Sequence, residues 1–133
     1  MRRLLSLMAI GVAVLLAAAP VFAHHSFAAE FDGSKPITLK GTLTKLDWVN
    51  PHGWIYIDVT GPDGEVVNWA IQAGAPTTLV RRGLTKDHLP LGVEIAVNGY
   101  LAKNGTPMIA GTILTFADGR EFSVGSSGPG APP

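Results

Sequence analysis

Hydrophobic positions along the chain follow two unlike patterns. From Leu4 to Ala19 every residue except Ser6 is apolar or glycine, whereas from Ile37 onward apolar and polar residues mostly alternate. Alternation is the period-two signature of half-buried strands. Ile37, Leu39, Gly41 and Leu43 share one parity against Thr38, Lys40, Thr42 and Thr44, and Leu46 and Trp48 then take the opposite parity. A one-residue phase change inside a continuous strand pattern predicts a β-bulge, with Gly41 as a nearby bend. After Asn50-Pro51, Trp54 to Val59 forms a second strand, with Ile55, Ile57 and Val59 on one face and Trp54 and Tyr56 on the other. Gly61-Pro62-Asp63-Gly64 has turn chemistry. Val66 to Ile71 therefore returns as the hairpin partner, with Val67, Trp69 and Ile71 on one face.

The segment Pro76 to Gly83 breaks the alternation. Proline near its start, glycine after its end and basic residues in its last turn predict a short helix. Strand patterns resume at Leu91 to Leu101 and Pro107 to Phe116, and Asp118-Gly119 turns the chain into a last short strand at Glu121 to Val124. Three strands, a short helix and two or three further strands match a small five- to six-stranded, OB-like Greek-key barrel, with the helix between strands three and four. A plain β-sandwich is the alternative all-β reading.

The apolar run near the start changes where the fold begins. Arg2 and Arg3 precede it, Pro20 ends it, and Val21-Phe22-Ala23 offers a peptidase cleavage site. This is the layout of a secretory signal peptide, and the run is shorter than the ~20 residues that span a bilayer. The expected organisation is a leader over 1–23, one domain over 24–124 with an extended N-terminal segment, and a disordered Gly- and Pro-rich tail over 125–133. An exported, periplasmic location follows, with no membrane span after processing.

Composition sharpens that picture. The 133 residues include ten basic and ten acidic side chains and no cysteine. Loss of Arg2 and Arg3 with the leader leaves eight basic residues against ten acidic, a net charge of −2 with histidine neutral. A slightly acidic exported domain has no electrostatic basis for holding nucleic acid. The absence of cysteine removes disulfides, thiol nucleophiles and thiolate-bound metals.

Histidines carry the candidate chemistry. Cleavage after Ala23 makes His24 the amino terminus, offering its α-amino nitrogen and imidazole Nδ1 to one metal ion. A further imidazole, from His25 or His52, completes a three-nitrogen array of the kind called a histidine brace, which suits Cu(II). The plainer alternative is a pair of terminal histidines with no ordered role. His52, in Asn50-Pro51-His52-Gly53-Trp54, sits at a strand start between two tryptophans. His88 follows Asp87 in a polar connection and reads as solvated, and Arg81-Arg82 reads as a pair complementing a helix C-terminus. Trp48, Asn50, Trp54 and Tyr56 are candidate partner-binding residues at the rim of an OB-like face. Core packing accounts for at least two of the four aromatics Trp48, Trp54, Tyr56 and Trp69 more simply. The spacing of Asp47, Asp58, Asp63 and Glu65 builds no acid–base pair, so a non-enzymatic role is favoured.

Several blocks together resemble a widespread family of small exported Gram-negative bacterial proteins of unknown function. They are His24-His25-Ser26-Phe27-Ala28-Ala29-Glu30-Phe31-Asp32, Pro36 to Thr44, Trp48 to Ile57, Asn68-Trp69-Ala70, Leu79 to Gly83 and Asn98-Gly99-Tyr100. The resemblance covers residues 24 to 120 and implies export and a compact β domain. It makes His24, His25 and His52 family positions, while His88 stands where another polar residue is expected. Gly53 stands where the family often carries a larger residue, which implies a looser loop. The leading expectation is an exported binding protein with copper at the His24 terminus. The alternative is a metal-free module that recognises an envelope protein or glycan.

Overall fold

The computed structural model describes residues 26–126. A helix, α1 (Ser26–Glu30), leads into β1 (Phe31–Asp47), followed by β2 (Trp54–Thr60) and β3 (Val66–Gln72). Helix α2 (Pro76–Arg81) and a 3-10 turn (Lys86–His88) precede β4 (Glu94–Ala102), β5 (Met108–Phe116) and β6 (Glu121–Ser123). The alternating segments thus become strands, and the proline-started segment becomes the helix between β3 and β4. Val67 pairs with Val59 on the expected face, but lies beyond the core and is 41% exposed.

The strands close on themselves. β1 pairs with β2 on one side and β4 on the other, while β3 pairs in parallel with β5 through Ala70, Ile71 and Gln72. The circuit is therefore β1-β2-β3-β5-β4-β1, the closed OB-like arrangement, with β6 added to β5. Tracing partners from Asp47 through Trp54, Gln72, Ala110 and Tyr100 returns to β1 at Pro36, eleven residues upstream. That stagger tilts the strands and lets a few of them enclose a packed interior.

The bulge lies between Leu43 and Lys45, where the sequence changes phase. Gly41 serves close approach as well as bending, because a Cβ there would collide with the Asp58 carbonyl oxygen. β1 also starts earlier than the alternation suggests: Phe31 pairs with Ala102, and residues 32–35 loop out before pairing resumes at Pro36. β4 starts later than Leu91, which lies in the preceding turn and is 69% exposed.

Leu39, Leu43, Ile55, Ile57, Ile71, Ile95, Val97, Ile109 and Leu114 form the interior, and Leu79, Leu84 and Leu89 join them from α2 and the connection that follows. Phe31, Ala102 and Ala110 make a second buried cluster, against which Phe27 and Met108 pack. Among the described residues, no helix is long and apolar enough to cross a membrane.

Candidate functional site

The loop between β1 and β2 carries Trp48, Asn50 and His52, and its foot is tightly tied. Gly53 donates its N–H to the Gly74 carbonyl at 3.0 Å and accepts from the Ala73 N–H at 2.8 Å. A Cβ on Gly53 would stand 3.3 Å from the Gly74 oxygen and 3.7 Å from Leu79 Cδ1. Gly53 thus anchors the loop by close backbone approach, which corrects the expectation of looseness. Gly74 in turn donates to the Val124 carbonyl at 2.7 Å.

His52 directly precedes this knot and is half-buried. Its Nδ1 is shielded from solvent and has no hydrogen-bond partner among the described residues. Leaving a buried polar atom unpaired costs about 1–3 kcal/mol. A ring nitrogen in that state can take a proton donor, donate its own proton or ligate a metal, according to its tautomer.

The four candidate partner-binding residues divide between two places. Trp48 is half-buried against the core and also lines a shallow groove with Pro76, Thr77, Val80 and Arg81. Asn50, joined to Pro51 by a cis peptide bond, is exposed in the loop. Trp54 and Tyr56 instead lie on the outer face of β2, opposite in parity to the buried Ile55 and Ile57, and both are half-exposed. Trp69 packs on the core, so two of the four aromatics are core residues.

Around Tyr56 the outer face is polar and internally bonded. Its cross-strand neighbour is the small Ala70, whose partner on the other side is Met108. Lys45 Nζ stands 4.8 Å from the Tyr56 ring centroid and donates to Asp47 Oδ2 at 2.8 Å. That hydrogen bond and the Asp47 charge hold the Lys45 ammonium above its ordinary pKa. Asn68 Nδ2 donates to Asp58 Oδ1 at 2.7 Å and to Thr44 Oγ1 at 2.9 Å. With one ammonium against the Asp47 and Asp58 carboxylates, the face suits a neutral polar partner better than a polyanion.

His24 and His25 lie outside the described residues, as do the proposed leader and residues 127–133 of the tail. Gly125, counted with that tail, is instead buried, and its carbonyl accepts from Arg82 Nη1 at 2.6 Å. Among the described residues no group of three or more His, Cys, Asp or Glu could hold a metal ion. A metal at His52 therefore needs ligands from elsewhere in the chain.

Other features escaped the sequence reading. The Phe27 ring stacks on Phe31 at 5.5 Å and meets Tyr100 edge-on at 6.0 Å. Lys103 donates its N–H to the Glu30 carbonyl at 2.8 Å, and its Nζ donates to the Ala28 carbonyl. The four-residue spacing of Phe27 and Phe31 could signal only their own stacking, not the contacts to Tyr100 and Lys103. His88 is half-buried, and its Nδ1 accepts the Thr85 N–H at 3.1 Å while its ring meets Phe122 at 5.7 Å. This corrects its reading as a solvated residue and requires an unprotonated Nδ1. Arg82 reaches the Ser123 and Gly125 carbonyls, so it ties α2 to the chain's C-terminal strand as well as ending a helix.

A small all-β barrel, plugged by a helix and bearing half-exposed aromatics on its outer face, defines the class of scaffold. The chain belongs to a family of unknown function (DUF6152), whose model matches residues 12–111. That span takes in His24, His25, His52 and the outer aromatics. No curated protein and no solved structure matches the chain.

Proposed function

We propose that this is an exported periplasmic binding protein that holds Cu(II) at its processed amino terminus. His24 supplies its amine and imidazole, and His52 supplies the third nitrogen, with His25 as the alternative third ligand. The observation that carries this reading is the buried His52 Nδ1, which lacks a partner among the described residues. Imidazole and amine nitrogens are good Cu(II) ligands, and their affinities peak at that ion in the divalent series. The topology lends further support. Phe31 packs with Ala110, which is linked through Gln72 to Trp54. Those two strand spacings amount to about 10 Å, so little of the barrel separates the N-terminal segment's anchor from the His52 loop.

The test is a Cu(II) titration followed by electron paramagnetic resonance, on exported protein whose terminus is verified by mass spectrometry. A chain starting at His24 should give a nitrogen-rich signal that is lost in His24→Ala and changed in His52→Ala. A signal changed by His25→Ala and indifferent to His52→Ala would assign the third ligand to His25. An amino terminus elsewhere, or a binding constant unchanged by His24→Ala, overturns the reading.

The half-exposed Trp54 and Tyr56 favour a second reading, a metal-free module that binds an envelope protein or glycan on its outer face. Aromatic faces with adjacent hydrogen-bonding side chains suit such partners. On this reading Trp54→Ala and Tyr56→Ala abolish partner retention while copper has no effect on it.

A further inference from the structure

Two Asn-Gly pairs, Asn98-Gly99 and Asn104-Gly105, stand in the chain, and neither functional reading uses them. Such a pair can modify itself, because glycine has no side chain to shield its backbone nitrogen from the asparagine amide before it. The fold sets the two pairs in opposite situations. Gly99 is buried in β4, between Ile37 of β1 and Gly111 of β5. A Cβ there would lie 2.4 Å from the Ala110 carbonyl oxygen, so neighbouring backbone packs closely against it. The Asn98–Gly99 peptide cannot rotate toward the Asn98 side chain without opening the ladder.

Asn104-Gly105 instead sits in the turn between β4 and β5, where residues 103–107 are all exposed. Gly105 has φ +77°, and nothing lies within 4 Å of where its Cβ would stand. Its N–H donates over a long 3.4 Å to the Ala102 carbonyl. Asn104 Oδ1 accepts the Thr106 N–H at 3.1 Å and the Thr106 hydroxyl at 2.7 Å. Those bonds arch the side chain over Gly105. They also place two donors on the oxygen where negative charge gathers when the amide carbon is attacked, the arrangement of an oxyanion hole. Asn98 Oδ1 accepts a single hydroxyl, that of Thr38.

We propose that Asn104 is a self-modification site, at which the Gly105 nitrogen, assisted by Thr106, converts the asparagine to aspartate and isoaspartate. The Gly105 nitrogen gives its proton to solvent and bonds to Asn104 Cγ. The Cγ–Nδ2 bond then breaks, and Nδ2 takes up a proton and leaves as ammonia. Water opens the resulting succinimide ring at either carbonyl, giving the two acids with no change of oxidation state. Each product puts a carboxylate in place of a neutral amide next to Lys103, whose Nζ holds the Ala28 carbonyl of α1. The modification therefore falls beside the fastening of the N-terminal segment. This assignment stands independently of the copper reading, because it uses neither His24 nor His52.

The test is a time course of the purified full chain in mildly alkaline buffer, read by peptide mapping with mass spectrometry. In the native chain the Asn104 peptide should gain the mass of an amide-to-acid change on the order of tenfold faster than the Asn98 peptide, since Asn98 must first give up ladder hydrogen bonds. In the chain unfolded by urea the two sites should react at similar rates. Thr106→Val keeps the N–H and removes the hydroxyl, so it should slow the native Asn104 reaction several-fold and leave the unfolded rate unchanged. Equal native rates at the two sites overturn the proposal, as does an Asn104 that survives in the native chain while the unfolded chain loses it. A native rate untouched by Thr106→Val overturns the part assigned to Thr106.

Discussion

The two ends of the β2–β3 hairpin are built from similar residues and behave as opposites. At the foot, where β2 begins and β3 ends, Gly53, Ala73, Gly74 and Val124 exchange backbone hydrogen bonds, and Leu79 seals the core above them. At the tip, the turn closes only on itself, through Gly61 N–H to the Glu65 carbonyl and Gly64 N–H to the Gly61 carbonyl. Val66 beside it is 59% exposed. Glycine at the foot allows one backbone to touch another, whereas Gly64 at the tip has φ +84° and nothing near the position of a Cβ. The histidine whose Nδ1 has no partner among the described residues thus sits at the tightly bonded end, where a ligand atom can be held in place.

Breaking the foot should cost most. Leu79→Ala should destabilise the protein by about 3 kcal/mol in denaturant unfolding, as for other fully buried leucines, while Val66→Thr at the tip should stay within about 0.5 kcal/mol. Equal effects would dissolve the distinction between the two ends. Arg82→Ala removes a half-buried charged donor from the Ser123 and Gly125 carbonyls and should cost about 1.5 kcal/mol, with faster amide exchange at Gly74 as the local signature. His88→Phe keeps a ring against Phe122 but leaves the Thr85 N–H without its acceptor, a loss of about 1 kcal/mol by analogy with other caps.

The smallest effect concerns the loop at residues 32–35. The Ser34 hydroxyl and N–H both donate to Asp32, and Lys35 adds its charge, so the Asp32 carboxyl titrates below its ordinary value. Because the folded pKa is depressed, this carboxylate stabilises the fold at neutral pH, and the contribution fades as pH falls below about 4. Ser34→Ala should move the Asp32 titration upward toward the ordinary value. An unmoved titration, followed by carboxyl resonances, would show that the serine contributes nothing.

Period two was strong enough in the sequence to mark the strands, and the switch from Leu43 parity to Leu46 parity marked the bulge. Each of those signals is local. The β3–β5 closure, the packing of Phe27 and Phe31 on Ala110, and the reach of Arg82 to Gly125 join residues far apart in the chain, and no spacing rule announces them. His88 was misread in part for the same reason: Lys86 and Asp87 before it are polar, while its ring meets that of Phe122, far along the chain. At the candidate site, the turn that presents His52 was legible from Asn50-Pro51 and Gly53. The burial of its Nδ1 depends on packing and was not.

The most direct test of the copper reading is the metal content of protein recovered from the periplasm after native processing. A polypeptide beginning at His24 should carry copper and lose it to a mild chelator far more readily after His52→Ala. A copper-free protein with that terminus, or copper retained equally well after His24→Ala, would contradict it.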